Sequence, residues 1–156
     1  MRRFIALFCA VLLTVSFAAC GGTKTKTADP GALADAMLEA LEPQGETIQV
    51  SGDVAANYYA MGDEVKEYRI YLSTMYIAEE AAVFRLADAG NADAVKKMCE
   101  NRIQDLKDSL EDYAPEEYQA VKDNAVVLAE GDIVAMVVGT AEGVAAAKAV
   151  FEKTVK

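Results

Sequence analysis

The sequence contains no histidine and no tryptophan, and only three cysteines and three prolines. Without histidine it lacks the commonest general base, the imidazole ligand of most zinc sites and every Ser-His or Cys-His nucleophile pair. The cysteines stand at 9, 20 and 99. Only Cys99 lies in the part expected to fold, so no disulfide is expected within the domain. Basic side chains are scarce as well, 15 against 25 acidic ones. Residues 20–156 hold 13 of the basic and all 25 of the acidic groups, a net charge of −12. Such a surface repels nucleic acid phosphates and anionic headgroups, so no nucleic acid partner is expected. Basic partners are compatible with it, although a negative surface also serves solubility. There is no G-x-S-x-G, Walker loop, G-x-G-x-x-G, CxxC or EF-hand loop, and nothing implies a cofactor or a metal.

What is present is enough for a core. Of 156 residues, 53% are hydrophobic, which suits one globular domain rather than a disordered chain. The first twenty residues, MRRFIALFCAVLLTVSFAAC, stand apart. Arg2 and Arg3 precede an apolar run from Phe4 to Val15, and Ser16 to Ala19 are small apart from Phe17. This is the pattern of a secretory signal. From Phe4 to Ala19 there are 16 residues, fewer than the roughly 20 that a retained membrane-spanning helix needs. Two cleavage sites compete. Ser16 and Ala18 satisfy the small-residue rule of ordinary signal peptidase, which would leave a chain starting at Ala19. Alternatively, Phe17-Ala18-Ala19-Cys20 resembles the bacterial lipobox, with Phe17 in the place usually held by leucine, and cleavage falls between Ala19 and Cys20. That resemblance implies a diacylglyceryl group on the Cys20 thiol. Two acyl chains hold a protein at a membrane where one holds only marginally.

The expected organisation is a cleaved signal peptide over residues 1–19, a lipidated cysteine with a flexible tether over 20–28, and a single α+β domain over 29–156. Gly21 to Ala28, GGTKTKTA, has no apolar periodicity and reaches at most about 28 Å when extended. Asp29-Pro30 is a helix start, followed by Leu33, Met37, Leu38 and Leu41 at helical spacing. ETIQVSGD is weakly strand-like or a linker, and Asp53 to Ala60 reads as a short helix presenting Tyr58 and Tyr59. Tyr68, Ile70 and Leu72 alternate with Arg69, Tyr71 and Ser73 as in a half-buried strand. Ala82, Phe84 and Leu86 form its antiparallel partner, with Glu79-Glu80 as the turn. Asn91 caps a long helix striped by Val95, Cys99, Ile103, Leu106, Leu110 and Tyr113. Pro115 starts a short helical turn, AVVLA and IVAMVVG read as two buried strands, and Thr140 caps a last helix. The order is helix, strand-strand-helix, strand-strand-helix. It predicts an antiparallel sheet of about four strands with helices packed on one face.

Three features invite chemistry. Cys99 reads as a small hydrophobe inside the helix stripe rather than as a nucleophile. The pairs Glu79-Glu80, Glu111-Asp112 and Glu116-Glu117 would suit an acid and base across a cleft, but adjacent residues diverge and the pairs read as solvated faces. Tyr58, Tyr59, Tyr71, Tyr76 and Tyr118 are candidates for a binding surface, since tyrosine suits contact with sugars or proteins. A place in the core or at its edge is the competing reading.

The lipobox, the strand pair, the long helix ending in Tyr113-Ala114-Pro115-Glu116, the Gly131-Asp132 turn and the closing helix together resemble a family of small lipoproteins. Their shared domain has no assigned function, and they occur in anaerobic Gram-positive bacteria. The resemblance supplies no catalytic residue. The expectation is a non-enzymatic lipoprotein anchored to the cell membrane through Cys20, outside the cytoplasm, binding an envelope protein or small ligand. A carboxylate enzyme acting on glycan and a structural or assembly module are the alternatives. An enzyme should show two carboxylates facing each other across a cleft, whereas a binding module should show a patch with exposed tyrosine.

Overall fold

The computed structural model describes residues 28–74 and 77–156. The segment expected to be a signal peptide, the expected cleavage and lipidation site at Ala19–Cys20, the expected tether through Thr27, and Tyr76 all lie outside the described residues. Helix α1 (Pro30–Leu41) begins as the sequence predicts, because Asp29 accepts a hydrogen bond from the Ala32 amide at 2.7 Å and Pro30 fills the first turn. It stops at Glu42, whose φ of 49° is left-handed.

ETIQVSGD is a strand, β1 (Thr47–Val50), so the sheet has five strands and not four. A short helix α2 (Gly52–Ala56) follows, and it ends before Tyr58 and Tyr59, which lie just beyond it. Strands β2 (Val65–Ser73) and β3 (Glu80–Leu86) pair next, with Tyr68 opposite Phe84. Helices α3 (Ala92–Leu110) and α4 (Pro115–Asn124) precede β4 (Val126–Glu130), β5 (Ile133–Val138) and α5 (Ala141–Val155). The strand order is β1-β2-β3-β5-β4, antiparallel throughout. Gly131 joins β4 to β5 with φ 58°, the positive angle that a tight two-residue hairpin needs.

The helices cover both faces of the sheet, not one. Val83, Ile133, Ala135 and Val137 pack with α1 and α5, while Ala82, Phe84, Val134, Met136 and Val138 pack with α3 and α4. The physical reason is visible in β5. Its six residues, Ile-Val-Ala-Met-Val-Val, are all buried, and a strand without a polar face must be covered twice. Its neighbour β4 is the edge strand and is half-buried to exposed, so only one of these two strands is fully interior. Each fully buried large side chain, Phe84 and Ile70 among them, contributes about 1.5–3 kcal/mol.

Two smaller expectations also change. Asn91 makes no side-chain cap bond; Asp88 instead accepts from the Gly90 amide at 2.8 Å and opens a 3-10 turn, Ala89–Asn91, that leads into α3. Tyr113 is 84% exposed, because α3 ends at Leu110 and the helical spacing no longer applies. Thr140 does cap α5, accepting from the Gly143 amide at 3.1 Å.

Candidate functional site

Glu79 and Glu80, expected as a solvated turn, are the only charged residues among those described that are fully buried, at 4% and 2% exposure. They stand at the start of β3, and no glycine, asparagine or proline interrupts Glu79-Glu80-Ala81-Ala82. The Glu79 carboxylate accepts from the Gln44 amide at 2.9 Å and the Gly45 amide at 3.0 Å, which fixes the α1–β1 connection. Glu117, from the third pair, accepts from the Ala78 amide at 2.9 Å and pins the same region from α4. Glu111, Asp112 and Glu116 are exposed as expected.

Glu80 is held by side chains. Arg102 of α3 grips it with Nη2 at 2.8 Å and Nε at 3.1 Å from Oε2, and Nε lies 3.3 Å from Oε1. Tyr59 donates its hydroxyl to Oε1 from the other side. A fork of two parallel donors on one carboxylate is among the stronger polar contacts a protein makes. Burial raises the Tyr59 phenol well above its ordinary pKa, and the Glu80 charge raises it further, so the phenol stays protonated and remains a donor. Burial works against the Arg102 charge, but the Glu80 carboxylate outweighs it and holds the guanidinium above its ordinary value. The Tyr59 ring packs against Phe84 with centroids 5.1 Å apart, so the same residue joins the polar cluster to the core.

Arg102 also lies over the ring of Tyr58, 4.8 Å from its centroid. These two side chains separate two hollows along α3. The larger, about 600 Å³, is lined by Glu64, Lys97, Asn101, Gln104 and Asp105. The smaller, about 300 Å³, is walled by Leu72, Ile77, Ala78, Leu106 and Leu110 above Glu79 and Glu80. Tyr58 and Arg102 are the two residues that line both.

The tyrosines do not form one platform. Tyr58 is 40% exposed on the groove, but Tyr59 is 1% exposed and lies beneath it, so it is not a surface residue. Tyr71 is on the opposite face of the sheet and donates to Asp35 at 2.5 Å; its phenol is raised by burial and by that bond. Tyr118 packs at the edge of the α3/α4 core, with Lys122 Nζ 6.0 Å above its ring. Cys99 is buried, and desolvation, followed by the Glu80 charge, pushes its thiol up, which keeps it protonated and unreactive. No group of three or more His, Cys, Asp or Glu is placed to hold a metal ion among the described residues. No helix among them is long and apolar enough to cross a membrane.

Sequence reasoning missed Glu80 and Arg102. The signal was there in α3, where Arg102 falls three residues after Cys99 and beside Ile103, on the rim of the apolar stripe.

Neither the comparison with curated proteins nor that with solved structures returns a match. A family model described as a domain of unknown function, DUF4358, matches residues 40–139, which hold all five strands with α2, α3 and α4. The chain belongs to that family.

Proposed function

We propose that this protein is a lipoprotein, anchored through Cys20 to the outer side of the cytoplasmic membrane, that binds an envelope protein or small ligand in the split groove along α3. The observation that carries the reading is the Tyr58–Arg102 partition: a half-exposed aromatic ring and a partly buried guanidinium stand between two hollows of different chemistry. Even a matched ion pair taken out of water returns little net stability, so its retention beside an open groove points to use. The lipobox resemblance and the signal-like N-terminus support the address, and the resemblance extends to lipoproteins of Gram-positive anaerobes.

The geometry also supports this orientation. Ala28 is buried, and its carbonyl accepts from Arg85 Nη2 at 2.5 Å. Arg85 lies near the end of β3, five residues along the strand from Glu80, a separation of roughly 16 Å. The chain therefore enters the domain beside α1, at one end of the sheet. The groove opens on the other face of the sheet, the one packed by α3 and α4.

The enzyme reading finds less support. Both buried carboxylates are already committed, Glu79 to two backbone amides and Glu80 to Arg102 and Tyr59. A general base needs a lone pair aimed at substrate, and here the protein occupies them.

Two measurements test the proposal. Intact-mass analysis of membrane-extracted protein should find a chain starting at diacylglyceryl Cys20; an unmodified chain starting at Ala19 overturns the anchor. A photoreactive residue placed at Tyr58 or Asn101 in the intact protein should form one discrete adduct in native membranes. The same group at Tyr113 should not. Equal labelling at all three sites overturns the groove.

A further inference from the structure

We infer that the groove takes an extended polypeptide segment, neutral or basic, that carries one bulky apolar side chain; this rests on the groove being a binding site. The argument starts from Arg102. Its Nε and Nη2 are used by Glu80, while Nη1 has no acceptor among the described residues. Nη1 is not among the buried atoms that lack a partner, so water satisfies it, and an acceptor oxygen of a ligand can take that water's place.

Local charge decides what kind of oxygen. The Arg102 charge is already matched by Glu80 at 2.8 Å. Of the remaining charged groups lining the larger hollow, Glu64 and Asp105 are acidic and Lys97 is basic, with its Nζ 3.5 Å from Glu100. The groove is thus net negative within a chain of net charge −10. A carboxylate or phosphate is repelled there, a neutral carbonyl is not, and a lysine or arginine side chain is attracted.

The smaller hollow narrows the choice further. Its walls are Leu72, Ile77, Leu106 and Leu110, and its carboxylates are bonded to the protein. Ser73 and Ser109 also line it, but the aliphatic side chains outnumber their hydroxyls. An apolar group therefore gains more by entering than a sugar, most of whose hydroxyls would lose water. One face of the Tyr58 ring is also covered by Arg102, which takes that face from sugar stacking. A polypeptide meets all these conditions at once. Its carbonyl faces Nη1, one apolar side chain fills the smaller hollow, and basic side chains reach Glu64 and Asp105. From Lys97 to Leu110 the helix runs roughly 20 Å, which about six extended residues span.

The test uses the intact lipidated protein in nanodiscs and follows its backbone amides by NMR. Four probes are titrated: acetyl-Lys-Ala-Leu-Ala-Lys-amide, its Leu-to-Ser form, its form with both lysines replaced by glutamate, and N-acetylated chitotetraose. The leucine–lysine peptide should shift amides at Tyr58, Asn101 and Leu106, and both altered peptides should bind about tenfold or more weakly. Asp105→Asn, at an exposed position, should reduce the preference for lysine over glutamate by about threefold without altering the fold. Equal binding of the leucine and serine forms, or of the lysine and glutamate forms, overturns the inference and leaves the groove a binding site. Groove shifts from chitotetraose with none from the lysine peptide do the same. If no probe shifts a groove amide, the groove reading falls with it.

Discussion

The two faces of the sheet are built for different ends. On the α1/α5 face Leu33, Met37, Val83, Val137 and Phe151 pack into an apolar layer with half-buried Arg85 at its rim, and buried Glu79 is tied to the amides just beyond α1. The helices there touch backbone to backbone: a Cβ on Gly143 would lie 2.4 Å from the Leu41 carbonyl oxygen. The α3/α4 face instead contains Glu80, Arg102, Tyr59 and Cys99 beside two hollows. One layer closes the sheet. The other holds a polar group in a fixed place. This rather than the presence of a hollow sets it apart, since one of about 340 Å³ also lies between Leu41, Gln44, Thr140 and Ala146 of the α1/α5 layer.

The sharpest way to break this contrast is at Glu80. Glu80→Ala leaves the partly buried Arg102 guanidinium without its counter-charge and the Tyr59 hydroxyl without its acceptor, a loss of about 3 kcal/mol or more. Urea denaturation should show it as a lower midpoint at unchanged slope. Replacing both Glu80 and Arg102 with methionine removes the unmatched charge but still leaves the Tyr59 hydroxyl without its acceptor. It should therefore recover part of the loss, to within about 1–3 kcal/mol of the parent, while losing the groove's ligand. A double variant as unstable as the single one would mean that the pair serves the fold alone.

On the opposite face the largest effect comes from adding atoms. Gly143→Ala gains about 1 kcal/mol of helix propensity, but the added carbon meets the backbone of α1, which has no rotamer to yield. Overpacking of this kind costs about 1–3 kcal/mol, so a net loss of about 1 kcal/mol is expected, read as a fall in melting temperature with ligand binding unchanged. A stabilised variant would show that α1 and α5 are not in close contact.

Much of the fold was legible because local chemistry and tertiary structure agree. Asp29-Pro30, Thr140 and Pro115 start helices where they stand, and the alternation through Tyr68, Ile70 and Leu72 is the observed face of β2. The failures share a cause. Strand β1 is four residues long with exposed Ile48 and Gln49, so it shows no periodicity, and only its pairing with β2 makes it a strand. The second helix layer was implied by the unbroken apolar run of β5, a buried strand in the sequence reading, although the helices were all expected on one face of the sheet. Glu80 was misread because burial of a charge depends on a partner 22 residues away, and no local pattern carries that information. The address is the reverse case: Cys20 is read from the sequence alone and lies outside the described residues.

The smallest effect is expected at Tyr58, and its smallness is informative. Its neighbour Tyr59 is 1% exposed and bonded to Glu80, whereas Tyr58 is 40% exposed and touches the cluster through the Arg102 cation. Removing that contact with Tyr58→Ala should cost about 0.5–1 kcal/mol, close to the limit of a denaturation measurement. The same change removes the wall between the two hollows and uncovers Arg102. Ligand binding should therefore fall by about tenfold or more while the melting curve barely moves. A loss of several kcal/mol would make Tyr58 a packing residue, and the two faces of the sheet would then differ in composition but not in purpose.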